Sequence, residues 1–147
     1  MVRNPYDRCV SLYHHRLETG DRYAEGKGVL YNFSRKLKYR YFYRKCFETW
    51  IKGKDSKNYL CNSAKKFICD SDGKVIVDDI LRFEKLDSDI SEFVRSAGLT
   101  KYLGRLKVKN ISKNKAMYSS YYNHELRKIV EDRYSFEFDE LHYERHV

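Results

Sequence analysis

The chain has 147 residues, of which 41% are hydrophobic and 35% are charged, and its formal net charge is +9. This length and apolar content suffice for the core of one ordinary domain, so we expect residues 1–147 to form a single domain and not a disordered segment. The sequence contains no run of eighteen apolar residues and no charged-then-apolar leader. We therefore expect no membrane segment and no signal peptide within it.

The positive charge is concentrated in the first half of the chain. Residues 1–66 hold 16 Lys and Arg against 6 Asp and Glu, whereas residues 67–147 hold 14 against 15. A basic half beside a neutral half indicates an anionic partner. A nucleotide, a sulfated or acidic glycan and a nucleic acid all satisfy this charge, so the charge alone does not choose between them.

The first predicted element is a helix from about Pro5 to Leu17. Proline suits the first helical position, and Asn4 before it is a good cap for the free N–H groups of the first turn. The start of a helix is a natural anion site, because its N–H groups and positive dipole end face outward. Arg3 adds a planar cation that can hold two phosphate oxygens, and Ser11, up to two turns into the helix, adds a hydroxyl donor. The alternative interpretation is a capped helix beside a solvated arginine.

A loop and a second helix follow. Three glycines between Thr19 and Val29 indicate a loop. An aromatic and basic helix is predicted from about Ser34 to Ile51, and Gly53 ends it. Within it, we interpret the Tyr39–Lys45 run as a packed helix with a solvated basic face, although an acidic or sulfated glycan would also fit along it.

The next predicted elements are a hairpin and a short helix. The Asp70–Gly73 segment is a strong turn signal between two apolar segments, Phe67–Cys69 and Lys74–Asp78. A helix is predicted from about Ser88 to Ala97, and Gly98 ends it. Its predicted inward residues are Ile90, Phe93, Val94 and Ala97.

The C-terminal part is predicted to be a loop followed by one clear helix. The segment from Thr100 to Ala116 is polar and basic, which is typical of a loop. The last helix is predicted from about His124 to Tyr134, with Asn123 as its N-cap. Its predicted inward residues are Leu126, Ile129, Val130 and Tyr134.

The cysteines show no metal or redox pattern. No C-x-x-C spacing occurs, so a zinc knuckle or a thioredoxin-type site has little support. We interpret Cys9 and Cys46 as small core residues. A disulfide between Cys61 and Cys69 stays open for a secreted chain, and in a reducing compartment all four are free thiols.

The histidines are interpreted as structural residues. His14 and His15 lie about a turn beyond Ser11, and we favour packing or surface roles for them over a catalytic base. His142 and His146 have the i,i+4 spacing of metal ligands. Because no third ligand supports them, no metal site is predicted.

Taken as a string, Val2-Arg-Asn-Pro-Tyr-Asp-Arg8, with Ser11 and Tyr13, resembles the 3′-phosphate-binding motif of the Golgi-type carbohydrate sulfotransferases and their bacterial relatives. Later segments resemble further parts of that family in the same order, so that the resemblance covers essentially the whole chain. They are Phe67–Leu86 for the hairpin and the R-[FY]-E segment, Asp87–Leu99 for the short helix, and Tyr121–Tyr143 for the C-terminal helix and its ending.

The resemblance implies an α/β fold of the P-loop-NTPase-like kind. It also implies transfer of a sulfonate group from 3′-phosphoadenosine 5′-phosphosulfate (PAPS) to a hydroxyl, with a glycan as the expected acceptor and no metal. It assigns the 3′-phosphate of PAPS, or of the product PAP, to Arg3 and Ser11.

In that family the loop that holds the 5′-phosphosulfate lies upstream of this motif, and no comparable Gly/Lys-rich turn occurs in the sequence. We therefore expect a single partial domain, helix-rich with a short hairpin, that corresponds to the C-terminal portion of the fold without its N-terminal strands. No catalytic residue is assigned, because the base of most relatives lies in the upstream part. Arg82 and Glu84, in the R-F-E segment, are expected to form a structural ion pair and not a catalytic dyad.

Two other functions stay open from the sequence. One is a non-catalytic basic protein that binds nucleic acid or a polyanionic glycan, although no RRM, KH or zinc-finger pattern supports a specific nucleic-acid partner. The other is an inactive remnant. Self-association is expected if a mostly parallel sheet lacks its central strands. Localisation stays open between the cytoplasm of bacterial relatives and the Golgi membrane of eukaryotic ones.

Overall fold

The computed structural model describes residues 1–19, 47–53, 62–99 and 117–145. The described part is helix-rich, as expected. Its helices are α1 (Pro5–Thr19), α2 (Phe47–Lys52), α3 (Lys65–Ile68), α4 (Leu86–Ser96), α5 (His124–Arg133) and α6 (Ser135–Asp139), and two 3₁₀ turns, Phe83–Lys85 and Tyr118–Tyr121, lie shortly before α4 and α5.

Several sequence predictions fall outside the described residues. They are the two loops after residues 19 and 99, the part of the second helix before Phe47, and the side chains of Cys46, Cys61 and His146. The end of that second helix is confirmed, because α2 stops at Lys52 and the Gly53 N–H donates to the carbonyl of Trp50 at 3.1 Å.

Helix α1 begins as its capping signals predict. The side-chain oxygen of Asn4 accepts from the backbone N–H of Tyr6 at 3.0 Å and from that of Asp7 at 3.4 Å. Pro5 occupies the first helical position, where its missing N–H leaves no bond unmade. The helix continues to Thr19, two residues beyond the predicted end.

One parallel backbone pairing joins the N-terminal segment to the segment before α4. Val2 and Arg82 form an isolated parallel bridge. The Val2 N–H donates to the carbonyl of Leu81 at 2.8 Å, and the Phe83 N–H donates to the carbonyl of Val2 at 2.8 Å. A short extended segment that enters α1 is thus held beside the segment that enters α4, which is the local arrangement of an α/β fold.

The predicted hairpin turn is present, but the prediction of a strand before the turn is wrong. Gly73 has a φ of +85°, and Cys69 and Val75 form a single antiparallel bridge. The residues predicted to lead into the turn as a strand belong instead mostly to α3. The cause is a distant carboxylate: Glu137 accepts from the Ala64 N–H at 2.6 Å and so satisfies a donor ahead of that helix.

The short helix before Gly98 is present, but the prediction of a buried face is wrong. Helix α4 begins at Leu86, and Gly98 follows it with a φ of +68°. None of its residues is buried, and Phe93 is 41% exposed. An amphipathic pattern specifies the helix and its apolar face, but it does not specify which element covers that face.

The core of the described part lies between α1, α2 and the C-terminal helices. The Phe47 ring packs edge-on against Tyr13 and Tyr122, with centroids 5.4 and 5.1 Å apart. Helix α5 faces inward as predicted, and its N-cap is confirmed by the Leu126 N–H, which donates to the Asn123 side chain at 2.9 Å. The buried hydrophobic residues are Val2, Tyr6, Cys9, Val10, Tyr13, Phe47, Trp50, Ile51, Tyr122, Leu126, Val130, Tyr134, Phe138, Leu141 and Tyr143.

No described helix is both long enough and apolar enough to cross a membrane.

Candidate anion-binding site

The structure brings Arg3 and Ser11 together at the start of α1. The Nη1 group of Arg3 donates to the hydroxyl oxygen of Ser11 at 3.2 Å, across eight positions of sequence. Both side chains are partly exposed. A guanidinium and a hydroxyl in contact beside a helix start form a site that suits a phosphate group.

Asp7 holds the same guanidinium from within the helix. Its Oδ2 atom accepts from Arg3 Nε at 2.6 Å and lies 2.5 Å from Arg3 Nη2. An acidic residue in the first turn also interacts favourably with the positive end of the helix dipole. Asp7 thus belongs to the site together with Arg3 and Ser11.

The segment 82–84 contacts the segment 2–4 residue by residue. Arg82 pairs with Val2 through the parallel bridge. The guanidinium carbon of Arg3 lies 4.3 Å from the centroid of the Phe83 ring. Asn4 donates its backbone N–H to Glu84 at 2.6 Å. These three successive contacts fix where the chain enters α1.

The expected ion pair between Arg82 and Glu84 is not formed. Arg82 donates from Nη2 to the carbonyl of Leu141 at 2.6 Å and lies over the Tyr143 ring. Glu84 accepts from Asn4 and from the hydroxyl of Tyr143. Both residues therefore contact the C-terminal segment, and Glu84 also contacts the residue before α1.

Two residues of the C-terminal part, Tyr122 before the α5 cap and Glu131 within α5, form hydrogen bonds with Tyr6 in the first turn of α1. The Tyr122 hydroxyl donates to the carbonyl of Tyr6 at 2.8 Å, and the Tyr6 hydroxyl donates to the carboxylate of Glu131. Burial raises the pKa of Tyr122 well above its ordinary value, so this phenol keeps its proton and remains a donor. The first turn of α1 is therefore anchored on two sides.

A cleft of about 620 Å³ lies beside this turn. Arg3 and Arg8 supply its basic part, and Phe67 and Phe83 supply aromatic edges. Glu137 also borders it but is 2% exposed and already accepts from the hydroxyl of Ser63 at 2.8 Å. The cleft therefore combines guanidinium groups with aromatic surface, a combination that suits a phosphorylated aromatic ligand.

His14, His15 and His142 lie among the described residues. His14 Nε2 lies 2.7 Å from the Tyr121 hydroxyl, and its ring packs edge-on against that tyrosine. His15 and His142 are exposed. Among the described residues, no group of three or more His, Cys, Asp or Glu side chains is arranged to hold a metal ion.

The two described cysteines, Cys9 and Cys69, are not in a disulfide. Cys9 is buried, as predicted for a core residue, and Cys69 is partly buried. The disulfide considered for Cys69 is therefore not formed in this structure.

Comparison with known families assigns the chain to a family. A model described as the sulfotransferase family matches residues 1–144. The chain belongs to the sulfotransferase family. Its members are transferases that move a sulfonate group, so this chain is placed among the enzymes. No curated protein and no solved structure gives a significant match.

Two residues of this candidate site were not predicted from the sequence. Asp7 had a usable signal, because an acidic residue four positions after an arginine can pair with it at the start of a helix. Phe83 had none, because its contact with Arg3 depends on pairing between segments about eighty residues apart. Local spacing predicts the first kind of contact but not the second.

Proposed function

We propose that this sulfotransferase uses PAPS as its sulfonate donor and that Arg3 and Ser11 bind the donor's 3′-phosphate. The contact between these two side chains at the start of α1 carries the proposal. Because the Ser11 oxygen accepts from Arg3, its own proton is free to be donated to a phosphate oxygen. The guanidinium and the hydroxyl then hold one phosphate together.

The location of the pair also supports the proposal. The chain passes from an extended segment, paired in parallel with residues 81–83, directly into α1. Nucleotide phosphates bind at such strand-to-helix turns in α/β folds, because the backbone N–H groups and the helix dipole face the ligand. This agrees with a P-loop-NTPase-like sulfotransferase fold.

The proposed reaction transfers the sulfonate to a hydroxyl of a carbohydrate. The bond between sulfur and the 5′-phosphate oxygen breaks, a bond between sulfur and the acceptor oxygen forms, and the acceptor proton passes to a base. Arg3 and Ser11 bind the opposite end of the donor and do not take that proton. Their part is to fix the donor's position, which lowers the entropy lost in reaching the aligned geometry.

Calorimetric titration of the whole chain with PAP and with AMP tests the donor site, since the two nucleotides differ by the 3′-phosphate. We expect PAP to bind at least about tenfold more tightly, which corresponds to one or two charge-assisted hydrogen bonds. Arg3→Ala should remove most of this preference. Arg95→Ala, which removes an exposed arginine of α4, is the matched control and should leave it unchanged.

Equal affinity for PAP and AMP would contradict the proposal. Tight binding of polynucleotides that increases with their length and falls steeply with salt would instead favour the basic binding protein considered above. For the acceptor, incubation with PAPS and a panel of neutral and acidic oligosaccharides, read by mass spectrometry, should show the mass increase of one sulfonate. Sulfonation of a non-carbohydrate hydroxyl alone would contradict a carbohydrate acceptor.

A further inference from the structure

Asp7 is the one carboxylate in contact with the proposed phosphate-binding arginine among the described residues. Its presence is unexpected, because a carboxylate beside a phosphate site repels the ligand. The two contacts, at 2.6 Å to Nε and 2.5 Å to Nη2, are nevertheless both short. A residue that opposes ligand charge yet binds the arginine this closely needs a role that offsets the repulsion.

We propose that Asp7 is a positioning residue that fixes the Arg3 guanidinium in the orientation that receives a 3′-phosphate. The inference rests on the function proposed above. It adds to that function a specificity determinant that the phosphate itself does not touch.

The planar guanidinium presents two hydrogen-bonding edges, and Asp7 occupies one of them. The side edge consists of Nε and Nη2, and both atoms contact the single Oδ2 atom of Asp7. The end edge consists of Nη1 and Nη2, each of which carries a further N–H. Nη1 also contacts Ser11, so the end edge and the Ser11 hydroxyl face the same side of the site. Because an N–H of Nη1 donates to Ser11, a phosphate bound there meets the remaining N–H of Nη2 and the Ser11 hydroxyl.

Phe83 constrains the guanidinium in the remaining direction. Its ring centroid lies 4.3 Å from the guanidinium carbon, so the ring covers one face of the cation. Asp7 therefore fixes the rotation of the guanidinium within its plane, and Phe83 restricts the tilt of that plane. A free arginine side chain has many rotamers and loses this freedom when it binds a ligand. Ordering it beforehand removes that cost from the binding step.

The position of Asp7 in α1 is suited to this role. It lies in the first turn, four residues after Arg3, where its side chain reaches the arginine without leaving the helix. Its own backbone N–H is directed to the Asn4 side chain at 3.4 Å. The first turn of α1 thus fixes the relative positions of the Asn4 cap, the Asp7 carboxylate and the Arg3 side chain.

The opposite role, a competitor that keeps phosphate away from Arg3, makes a different prediction. If Asp7 mainly competed, its removal would free the cation and tighten phosphate binding. If Asp7 positions Arg3, its removal weakens phosphate binding although the site becomes more positive. The sign of one affinity change therefore separates the two roles.

The experiment compares Asp7→Ala and Asp7→Asn with the unchanged chain by titration with PAP and with AMP. We expect Asp7→Ala to weaken PAP binding about five- to tenfold, the size of losing one ordered side chain at a site, and to change AMP binding less than about twofold. Asp7→Asn keeps an oxygen that accepts from Nε, and it should stay within about twofold of the unchanged chain for PAP. Asp132→Ala, an exposed acidic residue of α5, controls for the change in net charge.

The possible outcomes separate this inference from the proposed function. If the unchanged chain does not prefer PAP to AMP, the proposed function fails. If it does prefer PAP, then unchanged or tighter PAP binding by Asp7→Ala overturns the positioning role. An equal loss for both nucleotides, or a loss in Asp7→Asn as large as in Asp7→Ala, overturns it as well. Circular dichroism of each variant identifies any loss of fold, and Asp7→Asn keeps the inference testable if Asp7→Ala does not fold.

Discussion

Glu84 shows how one carboxylate can join two distant parts of this chain. One oxygen accepts from the Asn4 backbone at 2.6 Å, and the other accepts from the Tyr143 hydroxyl at 3.1 Å. Burial raises the pKa of Tyr143 above its ordinary value, and the negative charge of Glu84 raises it further. The phenol therefore keeps its proton and holds the C-terminal segment against the site.

This shift predicts a loss of stability in alkaline solution. The unfolded chain releases the Tyr143 proton near pH 10, whereas the folded chain retains it, so the free energy of unfolding decreases as the pH rises above about 10. Tyr122 acts in the same direction, because burial also raises its pKa. Urea unfolding followed by the fluorescence of Trp50, measured between about pH 8 and pH 11, should show this decrease.

Two variants show how much of the stability lost at high pH comes from Tyr143. Tyr143→Phe should show a smaller decrease of stability over this pH range, although it starts from a lower stability because a hydrogen bond is lost. Tyr118→Phe changes a partly buried tyrosine away from Glu84 and should follow the unchanged chain. A decrease in Tyr143→Phe as steep as in the unchanged chain would show that Tyr143 does not contribute.

At the scale of residues, the sequence predicted that Arg3 and Ser11 lie together at the start of α1, but it did not predict the partners of Arg82 and Glu84. Arg3 and Ser11 were identified because a motif places them within one helix start. The predicted ion pair between Arg82 and Glu84 was wrong. It was expected because residues two positions apart in an extended segment lie on the same side and can pair. The nearby C-terminal segment offers each a better partner, Leu141 for Arg82 and Tyr143 for Glu84.

At the scale of elements, α1 and α5 were predicted with their capping signals, α4 was predicted from its apolar spacing and Gly98 although it has no side-chain N-cap, and α3 was not predicted. Helices α1 and α5 each begin one residue after an asparagine cap, which is a local signal. Helix α3 has no such signal, because Glu137 lies more than seventy positions away. Local sequence therefore predicts a helix when the groups that satisfy its first turn are also local.

The cap of α5 gives a prediction at this scale. Asn123→Ala removes the acceptor of the Leu126 N–H, and we expect it to lower the free energy of unfolding by about 1 kcal/mol. Asn123→Asp retains an acceptor and adds a charge that suits the helix dipole, so it should stay close to the unchanged chain. Urea unfolding measures both. Equal stability of Asn123→Ala and the unchanged chain would show that the cap does not contribute.

At the scale of the whole molecule, an exposed apolar surface stands out near the site. Phe67 and Ile76 are 64% and 63% exposed, and Val75 and Val77 are 41% and 36% exposed. We call these four residues the hairpin surface. It adjoins the cleft, because Phe67 and Val77 also border it. Exposed apolar residues that form a patch are typical of regions that contact another molecule.

We therefore predict that the chain self-associates. Sedimentation analysis over a range of concentrations should show an average mass above the 17.8 kDa of one chain. Ile76→Lys places a charge in the hairpin surface and should shift the mass toward one chain. Leu99→Lys, at a residue 43% exposed outside that surface, should not. A single-chain mass at all concentrations would contradict the prediction.

The pairing of segment 2–4 with segment 82–84 also determines when the site is complete during synthesis. A nascent chain that has released only α1 from the ribosome presents Arg3 beside Asp7 and Ser11 but lacks the Phe83 ring, the Glu84 acceptor and the strand partner of Val2. Tyr143, which donates to Glu84, leaves the ribosome 59 residues later than Glu84. The contacts that hold Arg3 and the start of α1 are thus complete only after residue 143 has been synthesised.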